Sequence, residues 1–452
     1  MNDIDHLRSV ISTEYCIGCG LCAPISKGQL KIEFNREGFY QPCGEWDQLD
    51  ANSAAQILEV CPFSDRGPHE DEIASSQFGH LPHHEATGYY ESIIAGFVND
   101  GKQRFNASSG GILTWLLTRL MELGKIDGVL HIGDEAAPNM SKRYFKYRIS
   151  RTTEAIQSGA KSKYYPVELS EVVDELLAKP GRYAIVGLPC FIKALKRYAL
   201  IDQRIKDSIH YSIGVVCGHL KSKAFAEAYV LACGGDPKQI SRFEFRTKSD
   251  KGPASDYMIQ FEEGGQSVKL PANKEAFANW SLGAFKYNAC DYCDDVFAET
   301  ADLVVGDAWL PEYLLNPKGT SLVVSRNKYL SSLLEEGCSS GQLQSNPLTP
   351  EQACHSQSGG LRHRRRYLPY RIKIKESAGL WVPKKRTLGG PADLVILDRI
   401  SQRLRMFSKN ISIQLWAKYG TPLKWKRFKR SFLLVAKIIK ITDMIRFLRR
   451  EK

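Results

Sequence analysis

Through the middle of the chain, short apolar runs alternate with longer amphipathic stretches, the pattern of strands and helices in turn. Residues 183–187 read as a short buried strand, 191–200 as an amphipathic helix and 211–216 as a second strand. Together they form a βαβ unit, whose two strands run parallel. Residues 301–306 repeat the buried-strand pattern, and 112–123 and 52–60 read as helices. Residues 243–248 alternate apolar and basic side chains, as a strand with one face in the core and one toward an anionic ligand would. At the far end, residues 431–451 place apolar side chains three and four apart among Lys437, Lys440, Arg446, Arg449 and Arg450, the spacing of an amphipathic basic helix.

This layout gives the cysteines meaning. Cys190 follows the first strand of the βαβ unit and Cys217 the second, so parallel pairing sets both at one carboxyl edge, where open α/β sheets bind ligands. Cys290 and Cys293 form a C-x2-C pair just ahead of the third strand. Four cysteines thus converge, a donor set for a 4Fe-4S cluster or a zinc ion, with a redox-active dithiol at Cys290/Cys293 as a lesser reading. Near the N-terminus, Cys16, Cys19 and Cys22 form C-x2-C-x2-C in a glycine-bearing loop. Three crowded thiols plus a distant fourth suit an iron–sulfur cluster better than zinc, whose ligands come as two separated pairs. Ser26 stands where a ferredoxin would place the next cysteine. Cys61, in a Cys-Pro pair after a helix, is the preferred fourth ligand over Cys43, which sits in a Pro-Cys-Gly turn.

Two segments carry anion-binding chemistry. Ser108, Ser109, Gly110 and Gly111 immediately precede the helix at 112, so free amides, hydroxyls and glycines meet at a helix N-terminus. An ordinary serine N-cap is the competing reading. Lys161, Ser162, Lys163 and Tyr164 offer charge for a phosphate and a ring for stacking, or else a solvated basic turn. Arg246 and Lys248 lie on the alternating strand, with Lys251 and Gly252 just beyond.

The chain has 452 residues and 43% hydrophobic composition, enough for a sizeable core in two or three domains. Its net charge of +12 is unevenly spread: residues 361–452 hold 26 Lys/Arg and 5 Asp/Glu, leaving the rest mildly acidic. No secretory signal precedes the fold and no window nears the ~20 apolar residues of a membrane span, so a cytoplasmic location is expected. Twelve cysteines are then better explained by metal ligation than by disulfides. Cys233, Cys338 and Cys354 have no partner at useful spacing. Residues 356–360 read as a linker into the basic run 363–366, and the terminal helix suits the inner, anionic face of a membrane, a partner or the core. No motif for reading nucleic acid accompanies the charge, so no nucleic acid is expected.

The order of these motifs, from Cys16 to Trp309, resembles the coenzyme F420 hydrogenase/dehydrogenase beta-subunit family, which includes 7-hydroxymethyl chlorophyll a reductases and bacterial relatives encoded near polysaccharide genes. The resemblance rests on the Cys16 motif with Val60-Cys-Pro62, Ser108–Gly111, Lys161–Tyr164, Gly187-Leu-Pro-Cys190, Phe245-Arg-Thr-Lys248, Cys290-Asp-Tyr-Cys293 and residues 301–307. It implies FAD held by Ser108 to Gly111 and Lys161 to Tyr164. It also implies two 4Fe-4S clusters, one on Cys16, Cys19, Cys22 and Cys61, the other on Cys190, Cys217, Cys290 and Cys293. Relatives often carry glutamine after the cysteine matching Cys190 and an acidic residue between the basic pair matching Arg246 and Lys248. These departures bear on the substrate, near which Arg246 and Lys248 are expected.

The expected architecture is α/β (α+β). A small N-terminal ferredoxin-like iron–sulfur segment spans 1–85, a mixed or parallel-sheet FAD-binding core with the second cluster spans 86–355, and a basic helical module spans 356–452. The expected activity is an oxidoreductase passing electrons between clusters and a substrate or deazaflavin through FAD, in polysaccharide biosynthesis if the family context holds. An electron-relay subunit and a zinc-stabilised non-redox scaffold are the alternatives. Expected partners are an electron donor such as ferredoxin or a hydrogenase/dehydrogenase subunit, a small-molecule substrate, an anionic membrane surface and a second copy of the chain. F420 use is left open, and no catalytic acid or base is singled out, Asp307 and His219 merely lying beside the cluster motifs.

Overall fold

The computed structural model describes residues 2–141, 143–249, 252–387, 389 and 394–448. Lys251, Arg449 and Arg450, named above, lie outside the described residues.

An eight-stranded mixed sheet organises the molecule, as the α/β reading requires. Its strands are β1 (Ser92–Val98), β2 (Gly128–Asp134), β3 (Phe145–Ser150), β4 (Tyr183–Gly187), β5 (Ile209–Val215), β6 (Leu303–Asp307), β7 (Ser321–Ser325) and β8 (Leu343–Pro347), in spatial order β8-β1-β7-β6-β5-β4-β2-β3. The inner four, β6-β5-β4-β2, pair in parallel, and the outer strands are antiparallel. Parallel strands are covered on both faces, which is why β4, Tyr-Ala-Ile-Val-Gly, reads as an apolar run without alternation.

The flanking helices in chain order are α1 (Ala51–Val60), α2 (Ile112–Glu122), α3 (Pro189–Ile201), α4 (Ile396–Tyr419) and α5 (Trp425–Leu448). The crossover helix α3 begins earlier than its apolar period indicated. Pro189 occupies its first turn, where a fixed φ and missing N–H cost nothing, so Cys190 lies within the helix rather than ahead of it. The strand expected over 243–248 is Ile240–Thr247, in a separate antiparallel sheet with Met258–Glu263 and Gln266–Pro271.

The C-terminal segment differs most from its sequence reading. Residues 356–360 are no linker: Thr349 caps a helix over Pro350–Ser356, and short helical turns Ser358–Leu361 and Arg362–Arg366 follow directly. Residues 356–452 also pack against the rest of the fold. A single buried apolar cluster runs from Leu7 to Ile439, so the regions 1–85, 86–355 and 356–452 share a core. On α5, Trp425, Phe428, Phe432 and Ile439 are buried, with Phe428 stacked 5.7 Å from Phe285. Leu433, Ile438, Ile441, Ile445, Phe447 and Leu448 are exposed. At the other end, Arg197 of α3 donates to the carbonyls of Cys61, Gly67 and Pro68, fixing the N-terminal segment to the sheet layer.

Candidate functional site

Cys16, Cys19, Cys22 and Cys61 line one hollow of about 50 Å³, walled by Leu7, Ile17, Ile57, Val60 and Phe63. The loop bearing the first three turns tightly because Gly18 and Gly20 adopt φ of +64° and +89°. A Cβ on Gly18 would meet the Tyr40 carbonyl at 2.5 Å, and one on Gly20 the Glu168 carboxylate at 2.5 Å. Cys61 follows α1, which Asp50 starts by accepting the Ser53 N–H. Burial pushes all four thiols up, Cys16 to about 12, and Cys61 adds to the shift of Cys16, Cys19 and Cys22 because the four face one another. Cys43 sits apart on the strand Tyr40–Gly44, where its thiol approaches the Lys31 carbonyl at 3.6 Å. Thiols gathered in an apolar hollow fit a group that takes them all as thiolates, the donor set of a 4Fe-4S cluster.

The second set forms as the βαβ unit dictates. Gly187 of β4 pairs with Gly214 of β5, so Cys190 and Cys217, equally far beyond them, emerge at one edge. Cys290 and Cys293 arrive from the turn Asn288–Tyr292 and the residue after it, ahead of β6. The Leu220 N–H donates to Cys290 Sγ at 3.2 Å. Cys190 is raised well above its usual value by burial and then by Cys217, Cys293 and Cys290. Among the described residues no three His, Cys, Asp or Glu side chains are arranged to hold a single metal ion.

One residue that sequence reasoning missed joins this set. Arg364, 1% exposed, donates from Nη1 to Cys293 Sγ (2.5 Å) and the Asp295 carbonyl (2.9 Å), and from Nη2 to Cys217 Sγ (3.5 Å) and the Gly218 carbonyl (2.8 Å). No spacing rule ties position 364 to the cysteines, and its basic neighbours disguised it as surface.

Cys217 also lines a cavity of about 740 Å³ at the carboxyl ends of the parallel strands. Ser108, Ser109, Gly111, Lys161, Ser162, Lys163, Tyr164 and Arg246 share that wall; Gly110 and Lys248 do not. The serine N-cap reading fails, because the N-cap of α2 is Gly111 at φ +89°, with no side-chain cap. The first-turn amides of α2 therefore remain available beside Leu113 and Thr114, which line the cavity. Gly110 lies behind the loop, where a Cβ would come within 2.3 Å of the Gly96 carbonyl. Ser108 Oγ accepts the Ser162 N–H at 2.6 Å, cross-linking the two anion-binding segments, and Ser109 Oγ donates to the Thr320 carbonyl at 2.7 Å.

Lys161 holds φ of +79°, a strained conformation for a side chain with a Cβ, and pairs with Glu244 at 2.6 Å. Lys163 donates to the Gly159 and Ala160 carbonyls, and burial lowers its ammonium to about 8. The uncapped start of α2 and the ring of Tyr164, edge-on to Trp280 at 4.8 Å, thus share the cavity wall with the two engaged lysines. Arg246 is no free cation, since it is bonded in two places to Asp307. Lys248 acts as a strut: its ammonium donates to the carbonyls of Arg104, Ser109 and Lys318 at 2.5 to 2.6 Å, and burial lowers it to about 7.

Two histidines complete the wall. His131, on β2, shares a 2.7 Å hydrogen bond with Ser150 Oγ, and burial lowers it to about 3. His219 packs 4.3 Å from Trp280, and its buried Nε2 lacks a protein partner.

Comparison with known proteins agrees with this architecture. The family model for the coenzyme F420 hydrogenase/dehydrogenase beta subunit N-term matches residues 93–174, and the one for its C terminus matches 181–351, together more than half of the chain. The chain is 23% identical over 326 residues to the coenzyme F420-dependent sulfite reductase of Methanocaldococcus jannaschii, covering 68% of this chain and 44% of that protein. It therefore spans less than half of that relative's length. It is 22% identical over 271 residues to the coenzyme F420 hydrogenase subunit beta of Methanothermobacter thermautotrophicus, covering 58% and 86% respectively. A chain of the F420-reducing NiFe hydrogenase complex from Methanosarcina barkeri superposes with a TM-score of 0.50 at 16% identity, over 68% of this chain and 99% of that one, a likeness of fold. Cys190, Cys217, Cys290 and Cys293 fall within the matched region, and the Cys16 set and Arg364 outside it. The chain belongs to the coenzyme F420 hydrogenase/dehydrogenase beta-subunit family.

Proposed function

We propose that this chain is an iron–sulfur flavoprotein oxidoreductase that passes electrons between two 4Fe-4S clusters and an organic substrate or deazaflavin docked at FAD. The observation that carries the reading is the double role of Cys217, a member of the second sulfur set and a wall of the large cavity. FAD, when bound, exchanges single electrons with clusters and electron pairs with organic substrates. The chain's own residues do the holding. The α2 amides receive the phosphates, Lys161, paired with Glu244, and Lys163, bonded to the Gly159 and Ala160 carbonyls, shape the wall beside them, Ser108 and Ser162 lock their loops together, and Tyr164 and Trp280 wall the ring and keep water out. Arg246 and Asp307 neutralise each other, and His219 Nε2 is a buried polar atom without a protein partner in the cavity wall. The names of the relatives, a sulfite reductase and a hydrogenase subunit that use coenzyme F420, support a deazaflavin as the organic reactant.

A relay role within a larger assembly is the second reading, favoured by a structural neighbour that is one chain of a hydrogenase complex. Its donor would be ferredoxin or a hydrogenase or dehydrogenase subunit. The exposed apolar and basic face of α5 supports attachment to an anionic membrane as well.

Anaerobic reductive titration tests the proposal. Two clusters and one flavin accept about four electrons per chain. Cys217→Ser is expected to leave the first cluster reducible and to slow flavin reduction at least tenfold. Uptake of no electrons by the wild type would overturn the reading, and full uptake with unassisted turnover of F420 would exclude the pure relay.

A further inference from the structure

The arginine run at 362–366 sends its members to different partners. Arg365 donates to the Glu299 carboxylate at 2.7 Å. Arg364 is as deeply buried as any side chain of the core, yet no carboxylate is among its hydrogen-bond partners; they are two thiol sulfurs and two backbone carbonyls. A guanidinium taken out of water without an anion is costly. The Cys293 and Cys217 sulfurs supply negative charge at hydrogen-bond distance as thiolates, the form in which they bind metal, with the buried Asp295 carboxylate acting from farther off. Each Nη is shared between one sulfur and one carbonyl, which fixes the guanidinium against the set. Among the described residues no cation donates to a sulfur of the first set: Cys16 Sγ accepts the Gly18 N–H at 3.4 Å, and Arg197 and Lys193 act on Cys61 only from a distance, Arg197 bonding carbonyls.

We infer that Arg364 is a positioning residue of the second cluster that raises its reduction potential above that of the first, so that electrons come to rest on the cluster beside the cavity. The inference rests on the reading of the second set as a cluster site. Taking up one electron from the donor makes a cluster and its four thiolates more negative by one charge. A fixed cation donating hydrogen bonds to two of those sulfurs stabilises the reduced form more than the oxidised one, and hydrogen bonds to sulfur and net charge are what set such potentials. The effect needs no contact with the substrate. It comes from a residue outside the matched family region, so it is a property of this chain's C-terminal segment.

The test is an EPR-monitored redox titration of the anaerobically purified full chain, with iron content measured on the same samples. The wild type and the Arg364→Gln and Arg364→Lys variants are compared. About eight irons are expected in each, with two distinct midpoints in the wild type. Arg364→Gln is expected to shift the higher midpoint to a more negative value and leave the lower one unmoved. Arg364→Lys, which keeps the charge and is the safeguard if the glutamine variant does not fold, is expected to fall between the two. Eight irons with both midpoints unmoved in either variant overturns the inference and leaves the cluster reading intact. Four irons in the wild type that remain in Cys217→Ser removes the second cluster, and the inference with it.

Discussion

Arg246 grips Asp307 with both arms, Nη1 to Oδ2 at 2.7 Å and Nη2 to Oδ1 at 3.1 Å, and its side chain is only 5% exposed. The pair ties the small antiparallel sheet to the carboxyl end of β6 across the cavity wall, with the guanidinium stacked 4.8 Å over Tyr257. Removing one partner strands the other in a buried place, which costs ~3 kcal/mol or more. Asp307→Asn and Arg246→Met are each expected to lower stability by about that amount in denaturant unfolding, and the double variant by less than the sum.

The fourth ligand of the N-terminal cluster is tested by a pair of serine substitutions. Cys61→Ser is expected to lose about four irons per chain, whereas Cys43→Ser keeps its full iron content. Iron quantitation on anaerobically purified protein decides this.

Lys248 braces the loop that presents Ser109 by donating to three carbonyls at once. Lys248→Met leaves those carbonyls without their donor, at ~1–3 kcal/mol. Flavin affinity measured by equilibrium dialysis is expected to weaken about tenfold or more, equivalent to ~1.4 kcal/mol, with the iron content unchanged.

His131 makes stability pH-dependent. Its folded-state value of about 3 lies below the ordinary 6.5, so the unfolded chain takes up a proton first as pH falls. The contribution is intact above 6.5 and is lost progressively toward 3, amounting to ~2 kcal/mol at pH 5. His131→Gln, which retains a partner for Ser150, is expected to flatten that part of the stability profile between pH 7 and 5.

The outer face of α5 carries exposed Leu434, Ile438, Ile441 and Phe447 among Lys437 and Lys440. Sedimentation with vesicles containing phosphatidylglycerol is expected for the wild type and not for Ile438→Glu/Phe447→Glu. Because these side chains are already in solvent, the variant should unfold at the same denaturant concentration.

The parts of the site legible in sequence are those fixed by local rules. Apolar runs gave β4, β5 and β6, parallel pairing brought Cys190 level with Cys217, and the Cys-Pro pair after α1 singled out Cys61. What stayed hidden depended on distant contacts. The strand bearing Arg246 looked like a surface for anions because nothing local reveals that Asp307 would meet it. The basic C-terminal charge looked like a detached module because composition does not say that Arg364 turns inward. Pro189, permitted in a first helical turn, moved Cys190 into α3 against an apolar period that begins later.

The central claim is most directly tested by quantifying iron, acid-labile sulfide, zinc and extractable flavin on one anaerobically purified sample. About eight irons, about eight sulfides and about one FAD per chain are expected, with broad absorption near ~400 nm. A colourless protein carrying zinc and no flavin would contradict it.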